Sequence, residues 1–214
     1  MRPVVVFWWV LVAVLAVVDW YAVATHRRRL EGVAKPATML ALIGAAIAMG
    51  AAEAPAGRWL LGALALGLLG DVFLLGDTEP RFMGGLAAFL LGHLAYVVAF
   101  VVLGLDHPAW ALIGAAVFAV ALVPGWRVLR ATHREGGVAL AGPVAAYVLI
   151  IGAMVCAAWA AGRPLAGLGA AVFLASDTML ALDRFVTPQR WGHLPVMVTY
   201  HLGQVLIVLG VLRT

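Results

Sequence analysis

The 214-residue chain is 65% hydrophobic and 11% charged, with a formal net charge of +4 and a mean hydropathy of +1.06. Soluble domains carry about a quarter charged residues, so a soluble enzyme and a nucleic-acid-binding module are both excluded, and an all-α integral membrane protein is expected. A single cysteine, Cys156, excludes a disulfide framework.

Eight apolar runs are expected to form transmembrane helices, each long enough at 1.5 Å per residue to cross about 30 Å of hydrocarbon. The first, 3–24, ends in "AVA", which resembles a signal-peptide cleavage site. The run is too long for a signal core, however, and Arg27, Arg28 and Arg29 suit a retained helix. Near its inner end Asp19 adjoins Trp20 and Tyr21 and reads as an interfacial anchor. The second run, 33–52, opens with "AKPATM", which sets Lys35 and Thr38 close to the membrane surface. In the third, 58–76, "LLGDVFLLGD" places Asp71 roughly 8 Å deep and leaves Asp77 at the surface. The fourth, 83–104, carries His93 in "GHLAY".

The fifth and sixth runs, 109–129 and 138–161, contain "AGPVAAY" and Cys156, a small core hydrophobe. The seventh, 165–182, reaches "SDTMLALD", with Asp177 buried and Asp183 at the edge, and the eighth, 193–212, carries Tyr200, His201 and Gln204 in "YHLGQ". Short linkers such as "DHPA" at 106–109 and "GRPL" at 162–165 leave no room for a soluble domain.

Basic residues set the expected topology. Ten of the fourteen, Arg27, Arg28, Arg29, Lys35, Arg81, Arg127, Arg130, Arg134, Arg184 and Arg190, flank the odd-numbered loops, against Arg2, Arg58, Arg163 and Arg213 on the other side. The positive-inside rule then puts the odd loops in the cytosol and both termini outside, in the cell's inner membrane. Trp20, Trp59, Trp110, Trp126 and Trp191 near the span ends read as an aromatic belt.

With that topology five helices bring their polar groups to one level, the cytosolic half of the bilayer. An ionisable group there costs about 2.5 to 3.5 kcal/mol on insertion scales and usually marks function. Asp71 and Asp177 are therefore the candidate working acids. Asp77 and Asp183, six residues further along their helices, turn about 120° away and suit caps or headgroup contacts. Tyr200 and Gln204 are one turn apart on one face. His93, His201, Asp71 and Asp177 could together ligate a metal, but no HxxxH or HExxH pattern supports one, and neither metal nor cofactor is expected.

The polar positions also recur. Asp177 follows Asp71 by 106 residues, Asp183 follows Asp77 by 106, Pro143 follows Pro36 by 107 and His201 follows His93 by 108. This suggests two parallel four-helix repeats, 1–107 and 108–214, within a single transmembrane domain, with Asp71 and Asp177 as a natural pair. Outside these positions the repeat is weak: Lys35 falls on Gly142 and Gly70 on Ser176.

The ordered segments "AKPATM", "GLLGDVFLL", "FLLGHLAY", "FLASDTMLAL" and "YHLGQVLI" resemble the YhhN-type lysoplasmalogenase family over nearly the whole chain. The resemblance implies hydrolysis of the vinyl ether bond of lysoplasmalogen to a fatty aldehyde and glycerophospho-ethanolamine or -choline. It implies Asp71 and Asp177 as essential acids, and Lys35, His93, Tyr200 and Gln204 as further motif residues.

A vinyl ether is hydrolysed by protonating its β-carbon, after which water captures the oxocarbenium ion. One carboxyl can deliver the proton while an anionic partner stabilises the cation. His201 joins His93, Tyr200 and Gln204 as a group that could orient water or substrate. The expected partners are a lysophospholipid and the surrounding lipids, with phosphate near Lys35 and the basic loops. The competing reading is a small-molecule or lipid transporter with a proton-coupled intramembrane Asp pair.

Overall fold

The computed structural model describes residues 2–188 and 192–213. Arg190 and Trp191, counted above with the basic and belt residues, lie outside the described residues. Seven helices account for most of the rest: α1 (Pro3–Ala24), α2 (Arg28–Ala48), α3 (Pro55–Leu74), α4 (Glu79–Leu103), α5 (Ala111–Ala160), α6 (Pro164–Phe185) and α7 (Leu194–Leu212). Each is long and apolar enough to cross a membrane, and the protein is an integral, multi-pass membrane protein. No strand occurs among the described residues. Three helices start on a proline, Pro3, Pro55 and Pro164, whose fixed φ and missing N–H suit the first turn.

The eight expected spans correspond to seven helices because 111–160 is assigned as a single helix of 50 residues. A straight rod of that length would measure about 75 Å, more than twice the hydrocarbon thickness. The backbone leaves helical geometry at Gly136 (φ −132°, ψ 16°) and Gly137 (φ 59°, ψ −149°), where a side chain at 137 would strain the positive φ. Beyond this break the chain turns back on itself. A Cβ on Gly114 would lie 2.7 Å from Cys156 Cα, and one on Gly152 would lie 2.7 Å from the Phe118 ring. The His107 N–H donates to the Ala160 carbonyl at 2.9 Å, bringing the two ends together. The apolar arms 111–135 and 138–160 are therefore antiparallel, and the expected loop between them has shrunk to two glycines.

A second difference concerns α2, which starts at Arg28, five residues before the expected 33. Residues Thr25 to Arg27 form the whole turn from α1, with His26 at φ 55°. Lys35 thus lies about 10 Å along the helix, and both it and Thr38 are buried within the protein.

The chain divides into two compact units, Met1–Leu103 with Val211–Thr214, and Gly104–Gly210. In the first, α2 packs on α1 and α3, and α3 on α4. The buried stripe of α1 runs Val5, Val12, Ala16, Asp19 and Val23, while Val4, Phe7, Val10, Val14 and Val17 are exposed, as lipid-facing side chains would be. In the second unit α5 packs on α6. There α6 and α7 approach closely enough that a Cβ on Gly210 would collide with the backbone of Ala166.

Candidate functional site

Each unit holds one of the two candidate working acids. Asp71, in the last turn of α3, is buried, and its Oδ1 lies 3.2 Å from the Lys35 Nζ of α2. Gly70, the preceding residue, leaves room for the Phe89 ring of α4: a Cβ there would fall 2.6 Å from two ring carbons. The carboxyl is thus set by the α3–α4 contact and met by a cation from α2. Thr38, one turn beyond Lys35, donates to its own helix at Ala34 O (2.8 Å) and does not join the ion pair. His93 on α4 is 1% exposed.

Asp19, expected at the interface, is instead fully buried on the inner stripe of α1. Its apolar neighbours Trp20 and Tyr21 marked a membrane boundary in sequence, but the three-to-four-residue spacing from Val12 and Ala16 turns it inward. It lies within electrostatic reach of Lys35, Glu31 and Asp71.

In the second unit Asp177 is half-buried, and the Tyr147 hydroxyl donates to its Oδ2. Tyr147 stands in the second arm of α5, in the "AGPVAAY" segment noticed only for its proline. The signal that could have found it is a lone phenol in an apolar span. Ser176, adjoining Asp177, donates to Val196 O of α7 at 2.9 Å and ties the two helices beside the acid. Tyr200, His201 and Gln204 are all buried on α7. The Gln204 Nε2 donates to Tyr200 Oη at 3.4 Å, and the Tyr200 ring meets Phe173 of α6 edge-on at 5.3 Å. Tyr200 and Gln204 thus share a face, the one turned toward α6.

The outer acids differ in kind. Asp77 accepts from Arg28 at 2.8 Å with both side chains 81% exposed, and Asp183 Oδ2 lies 3.5 Å from His193 Nε2 near the end of α6. Among the described residues no three His, Cys, Asp or Glu side chains are grouped to hold a metal ion.

These features define a class: a polytopic α-helical membrane protein whose spans enclose carboxyls answered by a lysine and a phenol. The chain belongs to the YhhN family, whose model matches residues 30–211. It is 40% identical over 156 residues to Lysoplasmalogenase TMEM86B of Homo sapiens, covering 72% of this chain and 64% of that protein. It is 37% identical over 166 residues to Lysoplasmalogenase TMEM86B of Rattus norvegicus, covering 76% and 66%. The Lysoplasmalogenase of Mycobacterium bovis matches at 32% over 156 residues, covering 72% and 60%. The chain thus spans roughly three fifths to two thirds of the length of these curated relatives. No solved structure matches.

Proposed function

We propose that this protein hydrolyses the vinyl ether bond of lysoplasmalogen, with Asp71 and Asp177 as its acids. The observation that carries the reading is the pair of acids inside the spans, each held by a dedicated polar partner, Lys35 and Tyr147. Such groups are costly to insert and mark functional sites. Membership of the family and the names of the relatives supply the substrate class.

The reaction needs a proton on carbon and a negative charge near the cation it creates. One carboxyl protonates the β-carbon, the alkene electrons forming the new C–H bond while the ether oxygen lone pair forms the C=O⁺ bond. Water adds to the oxygen-bearing α-carbon of this oxocarbenium ion, a basic group takes its proton, and the hemiacetal collapses to a fatty aldehyde and the free hydroxyl of the glycerophospho-ethanolamine or -choline. The proton is regenerated, so nothing else is consumed. Lys35, His93, Tyr200, His201 and Gln204 bind the headgroup or place the water in this reading.

In the bilayer the two antiparallel arms of α5 cross separately, giving eight crossings, with both termini outside the inner membrane. Reporter fusions at Thr214 that are active only outside the cytosol support that topology; activity only in the cytosol refutes it. The function is tested with detergent-solubilised protein and lysoplasmalogen. Release of aldehyde supports the hydrolase, whereas no aldehyde together with substrate flux in proteoliposomes supports a proton-coupled carrier.

A further inference from the structure

The unit Met1–Leu103 with Val211–Thr214 holds a cavity of about 970 Å³, at the upper end of the range of about 300 to 1,000 Å³ usual for small-molecule sites. It lies between the first turns of α1 and the later turns of α2. Ile47 of its wall is about 18 Å along α2 from Lys35 at the helical rise, so the cavity sits toward the end of α2 away from the Asp71–Lys35 pair. The walls are apolar. Trp8 of α1 lies against α2 where Gly44 leaves room: a Cβ there would fall 2.6 Å from two carbons of the ring. Ile43 lines the cavity beside it, with Leu40 and Ile47 one turn before and after. These two are 57% and 52% exposed, so the cavity communicates with the surrounding hydrocarbon.

The rim is charged. Arg2 precedes α1, Glu53 follows the Gly50 turn (φ 90°) at the end of α2, and Arg213 follows α7. All three are exposed, and among the described residues Arg2 and Glu53 form no ion pair with one another. A rim at helix ends stands where phospholipid headgroups lie. Guanidinium groups match phosphate oxygens in charge and in geometry. Glu53 would repel a bare phosphate, and its place beside the arginines calls for a cationic group next to the phosphate. An apolar trough ended by these charges therefore fits an amphiphile whose head carries both.

We propose that this cavity binds a two-chain ethanolamine phospholipid of the bilayer, with its phosphate at Arg2 and Arg213, its ammonium at Glu53 and its chains along Trp8, Ile43 and Ile47. The site is separate from the Asp71–Lys35 pair and does not depend on the vinyl ether reading. Because the lipid joins α1 to the end of α2, it stabilises the folded unit.

The test titrates the full chain in detergent with dioleoyl phosphatidylethanolamine, dioleoyl phosphatidylglycerol and dioleoylglycerol, and counts bound lipid by native mass spectrometry. The ethanolamine lipid should be retained most tightly and dioleoylglycerol, which has no phosphate, least. Arg2→Gln combined with Arg213→Gln should weaken retention of both phospholipids by about tenfold or more, the loss expected of two basic groups near a membrane surface. Glu53→Gln should erase only the preference for ethanolamine over glycerol. Ile43→Trp, which fills the trough, should weaken all three lipids. Added ethanolamine lipid should raise the unfolding temperature of the wild type and leave that of the arginine double variant unchanged. Arg58→Gln is the control, since Arg58 is exposed at the start of α3, donates to Ala52 O at 3.0 Å and does not line the cavity. Equal losses in Arg58→Gln and in the double variant would mean annular lipid only and overturn the proposal. Tighter retention of phosphatidylglycerol by the wild type also overturns it. So does tighter retention of single-chain lysophosphatidylethanolamine, which would make the cavity an entry site for substrate.

Discussion

In unit Met1–Leu103 the candidate acid Asp71 is buried and meets a cation, the Lys35 ammonium; in unit Gly104–Gly210 Asp177 meets the neutral hydroxyl of Tyr147 and is half-exposed. The difference follows from single residues. At the spacing that relates Pro36 to Pro143, Lys35 falls on Gly142, which offers no side chain. The phenol that holds Asp177 comes instead from Tyr147, more than a turn further along the same arm. A carboxylate paired with a buried lysine is fixed by charge and exposed to large loss if the lysine goes. One held by a phenol loses a single hydrogen bond. Two acids at corresponding sequence positions can therefore be tuned to different tasks by the partner each is given.

The largest effects are expected at the acids. Asp71→Asn and Asp177→Asn keep shape but remove the titrating proton, and each should reduce aldehyde release by about a hundredfold or more while the protein still inserts and unfolds cooperatively. Near-normal activity in either variant would restrict the chemistry to one unit.

The partners should separate the units more sharply. Lys35→Met should lower stability by roughly 3 kcal/mol and turnover by about tenfold, because it removes the cation paired with a buried carboxylate. Tyr147→Phe should cost about 1 kcal/mol and reduce turnover only a few-fold. Thermal unfolding in detergent beside the aldehyde assay gives both numbers. The reverse order would mean that the phenol, not the lysine, is the critical partner.

Smaller still is the expected solvent isotope effect. If a carboxyl proton moves to carbon in the slow step, the wild-type rate should fall severalfold in heavy water, because that proton is in flight in the transition state. Tyr147→Phe should leave the ratio unchanged if the phenol only orients Asp177, and alter it if the phenol handles the moving proton.

Much of this arrangement was legible in the sequence. Helix α1 has its expected bounds, 3–24, because an unbroken apolar run flanked by Pro3 and three arginines admits few alternatives. The burial of Asp71, His93, Tyr200, His201 and Gln204 could be read from their distance to the ends of apolar runs. Rotation about the helix axis was harder to read. Asp19 looked interfacial because depth was judged from its aromatic neighbours, while its angular register with Val12 and Ala16 places it inside. The burial of Lys35 was not legible because the charged start of α2, Arg28 to Glu31, reads as loop by hydropathy although it is helical. Tyr147 was overlooked because its partner lies 30 residues away, on another helix. Hydropathy reports burial along the chain, and contacts between helices need the fold.

The smallest expected effect belongs to the outer acids. Asp77 pairs with Arg28 at 2.8 Å, but both side chains are 81% exposed, so water screens the attraction and ordering two long side chains offsets most of what remains. Asp183 lies 3.5 Å from His193, whose side chain is 59% exposed, and that contact is ionic only while the imidazole is protonated. Asp77→Asn and Asp183→Asn should each change stability by less than about 1 kcal/mol, with the Asp77 effect shrinking as salt is raised. Turnover should stay within about twofold of wild type, since each carboxyl is paired with an exposed side chain, Arg28 or His193. The decisive measurement is the aldehyde assay on both variants beside Asp71→Asn and Asp177→Asn. If the outer acids prove as damaging as the deep ones, depth and partner no longer distinguish the working carboxyls, and the contrast between Lys35 and Tyr147 loses its meaning for catalysis.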